Sequence, residues 1–351
     1  MKVLYAIQGT GNGHLSRARD VIPALQKRCD LDILISGIQA DVDIPYPVKY
    51  RLKGLSFIFG KKGGVDIWQT WLKSNLSRLR KEIKTLPVDD YDFIVNDFEP
   101  VSAWACHLKK MPCVSLSHQS AVLHPNAPKP DKTDYLGKII LQKYAPVTDS
   151  MGFHFKSYAD NIYTPVIRKE IREAETKNLG HYSVYLPAYD DFALLHKLRN
   201  FPHVQWEVFS KHNKKEIQED NVHIQPISNE VFIKSMAESE GILCGAGFEA
   251  PAEALFLKKK LLVIPMKTQY EQQCNASALA NMGVPVIKTL SENYFNVIRS
   301  WLDSDKRVNV DYPDITDTVI DDLMSRYQQG FNHLKETPVN DNNRKDKVIA
   351  E

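Results

Sequence analysis

Several absences narrow this sequence before any motif is read. No apolar run approaches the ~20 residues of a membrane-spanning helix. The opening MKVLYAIQGTGNG lacks the long apolar stretch of a signal peptide, because glycines and Gln8 interrupt it. Charge of neither sign dominates: 45 Lys and Arg against 43 Asp and Glu leave a formal +2, no argument for a nucleic-acid partner. The five cysteines stand apart at positions 29, 106, 113, 244 and 274, without a CxxC pair, as reduced thiols do. No repeat of fixed period is visible. A soluble, cytoplasmic protein is expected, with at most peripheral contact with the inner face of a membrane.

What is present is a long, globular α/β chain. At 351 residues and 43% hydrophobic content it calls for two cores rather than one. KVLYAI, LDILIS, YDFIVN and PCVSLS read as buried strands, with helical patterns between them, for example across 14–28 and 99–110. That alternation predicts a doubly wound parallel sheet. A second series begins near YSVYLPAYDD and continues through VQWEVFS, VHIQPIS, GILCGAGFEAPAEALF and LLVIP. The polar stretch between them places the boundary, giving domains 1–165 and 166–335 with a cleft between, the last helix returning to the first domain. The polar tail 336–351 is expected to be disordered. In QTWLKSNLSRLRKEIK, Leu72, Leu76, Leu79 and Ile83 share one face, which fits a core-facing helix or a basic amphipathic surface.

GTGNGH follows the first strand, at the end of a parallel sheet where ligands collect. Gly9, Gly11 and Gly13 permit close approach of a backbone or a ligand. A dinucleotide is disfavoured. The fingerprint would need glycine at His14, and the second strand ends at Gly37 rather than at a ribose-binding acid. His14, Asp97 of VNDFEP and His118 of LSHQS all follow strands and should face one cleft. A histidine with a carboxylate in reach is a general-base arrangement. Each has a plainer reading as well: His14 as a packing residue at a helix start, Asp97 as the N-cap of the following helix, His118 as structural or lining the cleft.

The second half carries CGAGFEAPAEALF, in which Gly245, Ala246, Gly247 and Phe248 lead into a helix. Its free N–H groups suit a phosphate. Glu253, within that helix, is near enough to reach a ribose. Glu271, Gln272 and Asn275 cluster at the start of the next helix, where acids and amides suit a ligand rich in hydroxyls.

On these patches the chain resembles glycosyltransferases of the GT-B fold. It is similar to the peptidoglycan N-acetylglucosaminyltransferase in GTGNGH and GAGFEAPAEAL, and to the UDP-glycosyltransferases in EQQCNA and VNDFEP. The resemblance implies two Rossmann-like domains and transfer of a sugar, UDP-linked, from a nucleotide-sugar donor to an acceptor hydroxyl. The acceptor would be lipid-linked, a polysaccharide, a protein or a small molecule. It implies His14 as base supported by Asp97, Glu253 on the donor ribose, and Glu271 and Gln272 on the donor sugar. The nucleotide sugar is then a co-substrate, and no cofactor or metal is expected. Retaining enzymes of this fold often carry a second glutamate eight positions before the first; here that position is Gly245, so inversion is expected. The Asp-x-Asp at 90–92 precedes a strand as a turn and is not expected to hold a metal. Phe57, Phe59, Lys61, Lys62 and Trp68 are placed on the acceptor side. An epimerase or hydrolase, or a non-catalytic nucleotide-sugar-binding protein, is the alternative reading.

Overall fold

The computed structural model describes residues 1–10, 12–37, 44–55, 76–132 and 134–336. Gly11, Leu72, the acceptor-side residues between 57 and 68 and the tail beyond 336 lie outside the described residues.

Val3, Leu4, Tyr5, Ala6 and Ile7 are all fully buried, the mark of a strand covered on both faces. This strand, β1 (Lys2–Gln8), lies in the interior of the first sheet. Around it lie α1 (Asn12–Gln26), β2 (Asp30–Ser36), β3 (Tyr50–Leu52), α2 (Leu76–Thr85), β4 (Phe93–Asp97) and α3 (Pro100–Lys109). There follow β5 (Cys113–Leu116), α4 (His118–Leu123), α5 (Tyr135–Tyr144), β6 (Asp149–Phe153) and β7 (Ile162–Tyr163). The strands run parallel in the order β3-β2-β1-β4-β5-β6-β7. The chain steps outward from β1 in one direction, then resumes on its other side at β4. That reversal opens a crevice beyond the carboxyl ends of β1 and β4.

After the short α6 (Lys169–Arg172), a second sheet is built from β8 (His181–Tyr185), α7 (Asp191–Leu198), β9 (Gln205–Ser210), β10 (Ile217–Glu219) and β11 (Val222–Pro226). It is completed by α8 (Asn229–Glu238), β12 (Gly241–Gly245), α9 (Glu249–Phe256), β13 (Lys260–Ile264), α10 (Tyr270–Asn281) and α11 (Phe295–Asp303). Its order is β10-β11-β9-β8-β12-β13, parallel except for the edge strand β10. Here the reversal falls between β8 and β12, which brings the Gly245–Phe248 turn to the second domain's crevice. The fold is the two-domain α/β architecture expected from the strand pattern.

The last helix, α12 (Thr316–Glu336), lies against α1. Arg28 pairs with Asp317 at 2.7 Å and with Asp321 at 2.5 Å, and Tyr327 stacks on Phe93 at 4.9 Å. Of the amphipathic basic segment, Leu79 and Ile83 on α2 pack against the first domain's core, the core-facing choice, while Leu76 stays 40% exposed. Among the described residues no helix is long and apolar enough to cross a membrane.

Candidate active site

The glycines at the end of β1 serve two different approaches. A Cβ on Gly9 would come within 3.1 Å of the Ser36 carbonyl oxygen, and one on Gly37, at φ +137°, within 2.7 Å of the Gly9 carbonyl carbon. The turn is therefore pressed against the end of β2, and the approach there is backbone to backbone. Gly13 lies instead beneath Glu249 of the second domain, whose Cγ a Cβ would meet at 3.1 Å.

This turn delivers His14 into the cleft. His14 Nδ1 lies 2.8 Å from Asp97 Oδ1, at the end of the adjacent strand β4. Because a carboxylate only accepts, Nδ1 carries the proton and the Nε2 lone pair is directed away from Asp97. Asp97 does not cap the following helix. Glu99 does, accepting from the N–H groups of Val101 and Ser102, and α3 begins at Pro100. The following residue, Phe98, is held at φ 56°, a left-handed conformation uncommon outside glycine. Its ring lies parallel to the His14 imidazole, 6.4 Å away, and lines the cavity.

Arg17 completes the cluster. It stands one turn after His14, on the same helical face. Its Nη2 donates to both Asp97 oxygens, at 2.7 and 2.9 Å, while Nη1 donates across the cleft to Glu249. Burial opposes the Asp97 charge, but Arg17 and His14 outweigh it and hold its pKa below the ordinary carboxylate value. Burial pushes the Glu249 carboxyl up to about 7, despite Arg17. The i+3 spacing from His14 was the available signal for Arg17; nothing local marked Glu249, whose partner is 232 residues away.

The opposite wall comes from α10. Glu271 accepts from Gln119 Nε2 at 3.1 Å, and Gln119 Nε2 lies 3.5 Å from His14 Nε2. Gln272 Oε1 accepts the Met266 N–H at 3.0 Å, and both residues line the cleft. Together with Gln8, Thr10, Phe98, Leu136, Ile140 and Phe248, they enclose about 500 Å³ in front of His14.

Four of the expected site residues are engaged or buried within the protein itself. Asn275 is fully buried: one turn beyond Glu271, it turns inward, donating to the Ala246 carbonyl at 3.1 Å and facing His118 Nε2 through Oδ1 at 2.7 Å. Ala246 is fully buried too, so of that turn Gly245, Gly247 and Phe248 reach a second cavity. His118 is 1% exposed, bonded through Nδ1 to the Phe153 carbonyl at 2.8 Å and stacked on Phe248 at 3.8 Å. It lines the cavity in front of His14 and also joins the two domains, and burial holds its pKa below that of free histidine. Glu253 lies at the back of a second cavity beside Gly245, Gly247 and Glu249, but both of its oxygens accept from Arg168, at 2.5 and 2.8 Å. Arg168 also donates to Asn229 at 2.7 Å, so a ribose would meet a carboxylate already clamped. Asp92 of the Asp-x-Asp is at the opposite end of the sheet from the cleft, accepting the Lys2 N–H at 2.7 Å.

Residues 1–304 match the family described as glycosyl transferase family 1. No curated protein sequence matches the chain significantly. Among solved structures, LpCGTa in complex with UDP is similar at a TM-score of 0.60 and 11% identity, over 93% of this chain and 99% of that one. Arabidopsis thaliana UGT89C1 complexed with UDP gives 0.55 and 12%, over 95% and 98%. The calicheamicin glycosyltransferase CalG4 gives 0.55 and 10%, over 95% and 97%. At such identities the likeness is one of fold, and the family match carries the activity. The chain belongs to glycosyl transferase family 1 and is a transferase of the GT-B fold.

Proposed function

We propose that this chain transfers a sugar from a nucleoside diphosphate, UDP in the first instance, to an acceptor hydroxyl, with inversion and without a metal. The observation that carries the reading is the His14–Asp97 pair opening onto a cavity whose far wall is Glu271 and Gln272. His14 Nε2 takes the proton of the acceptor hydroxyl as its oxygen attacks the anomeric carbon. The bond from that carbon to the diphosphate breaks, and the diphosphate leaves with the electron pair. Asp97 holds the His14 tautomer and favours the imidazolium that forms. The start of α9, where no side chain caps the N–H groups, meets the departing negative charge. Nothing lies within 4 Å of a Cβ placed on Gly247, which leaves room there for a phosphate. UDP in the solved complexes of LpCGTa and UGT89C1 supports starting with that nucleotide.

The test is a melting-temperature panel of nucleoside diphosphates, followed by turnover of the matching nucleotide sugars by wild type and His14→Ala. General-base catalysis contributes ~10²–10⁴ in rate, so His14→Ala should lose that much in kcat with donor binding kept. Near-wild-type turnover removes His14 from the mechanism. Donor consumption that is indifferent to any acceptor points instead to a hydrolase or epimerase.

A further inference from the structure

The transfer step needs His14 with a single proton, on Nδ1, and a free lone pair on Nε2. Asp97 alone works against that. A buried carboxylate 2.8 Å from an imidazole favours the doubly protonated ring, which has no lone pair left for the acceptor's proton.

Arg17 bears on both partners at once. Its Nη2 donates to each Asp97 oxygen, so the carboxylate charge is met before His14 carries any. The same nitrogen lies 3.3 Å from His14 Nδ1. Both nitrogens donate to Asp97, so their nearness is no bond between them; it sets a cation beside the ring. A positive charge there opposes a second one on the imidazole. The guanidinium is also held in place. Nη1 is taken by Glu249 at the start of α9, and Cζ lies 5.7 Å from the Phe153 ring centroid on β6. Burial works against its charge, yet Asp97 and Glu249 outweigh burial. The remaining groups facing the ring act more remotely: Glu249 through Arg17, Glu271 through Gln119, and the Tyr5 hydroxyl through Asp97.

We propose that Arg17 is a positioning residue that keeps His14 singly protonated. It meets the Asp97 charge and places a cation beside Nδ1, so Nε2 stays free for the acceptor hydroxyl. The same repulsion favours release of the proton that Nε2 gains in the transfer. The proposal rests on the reading of His14 as the base.

The test reads the ring itself and needs no substrate. The full chain, labelled with ¹⁵N at the histidine rings, is followed by long-range ¹H–¹⁵N spectra at about pH 7.5. His14 is identified among the 11 histidines by the signals lost in His14→Ala. Wild type should show Nδ1 protonated and Nε2 bare. In Arg17→Met the doubly protonated fraction should rise about tenfold or more, equivalent to about one pH unit. Arg17→Gln, which keeps a neutral donor for Asp97, should show the same rise and replaces the methionine variant if that one does not fold. Arg17→Lys restores the charge and should return the fraction most of the way to wild type. The other histidine signals report whether each variant is folded. An unchanged fraction in the folded neutral variants, or Arg17→Lys as protonated as they are, overturns the proposal. Turnover by His14→Ala tests the base separately: if it matches wild type while Arg17→Met still charges the ring, Arg17's hold on the ring stands and the catalytic role of His14 falls.

Discussion

At the scale of single residues, the site turns on how one carboxylate is shared. Asp97 accepts from His14, from both bonds of Arg17 Nη2 and, at 3.4 Å, from the Tyr5 hydroxyl. An aspartate so held stays ionised through any working pH. Glu249 is the group that titrates. The folded chain holds its proton up to about 7, whereas an unfolded glutamate releases it near ~4.3. This proton therefore contributes stability fully below the unfolded value, and the contribution is lost as pH rises through about 7. Relative to Glu249→Gln, the melting temperature of the wild type should fall across that window. Asp20, raised by burial to about 6, titrates in both proteins and cancels in the difference. Parallel melting curves for the two across the window would show that Glu249 is ionised throughout.

Among the elements, two glycine turns that look alike in the sequence do different work. Gly37 is in the left-handed half of the map and in contact with Gly9, so an alanine there is strained in conformation and in space. Gly37→Ala should cost ~1–3 kcal/mol of stability, read by denaturant unfolding. Gly247 has open space around it and no positive φ, and Gly247→Ala should leave stability within ~0.5 kcal/mol. Its effect belongs to the donor: if phosphates pass where the structure leaves room, the donor KM should rise by about tenfold or more. A stable Gly247→Ala enzyme with an unchanged donor KM would move the diphosphate elsewhere. The strand ends carrying these turns were legible because buried apolar runs stop at glycine. Helix starts were less so: the helix begins at Pro100, so the N-cap fell to Glu99, whose carboxylate accepts from the Val101 and Ser102 N–H groups, while Asp97 still belongs to β4.

Across the whole molecule, the two domains meet through side chains that a reading of either half alone would leave unpaired. Arg17 reaches Glu249, His118 reaches Asn275 and Phe248, Gln119 reaches Glu271, and α12 returns to cover α1. Removing Arg17 strands the Asp97 carboxylate in buried surroundings and leaves Glu249 without its donor, and breaking such a buried pair typically costs ~3–5 kcal/mol. Arg17→Met should show that loss in urea unfolding, and adding Asp97→Asn should restore part of it. If Arg17→Met is as stable as wild type, the cross-cleft pair contributes nothing net.

The sequence by itself determined the two parallel sheets and the strand ends that His14 and Asp97 follow or close. Those follow from local pattern: apolar runs make buried strands, and residues just after parallel strands share one edge. Only the tertiary structure decided which polar groups remain open to a ligand. Asn275, Glu253 and His118 have the residue types of a binding site, yet each is engaged by a partner at least 29 residues distant in the chain. Gln8 and Gln119, unremarkable in the sequence, line the cavity and keep buried oxygens without a partner. A hydrogen bond is satisfied or left open by whatever folding brings within about 3 Å, and over such separations no local spacing encodes that.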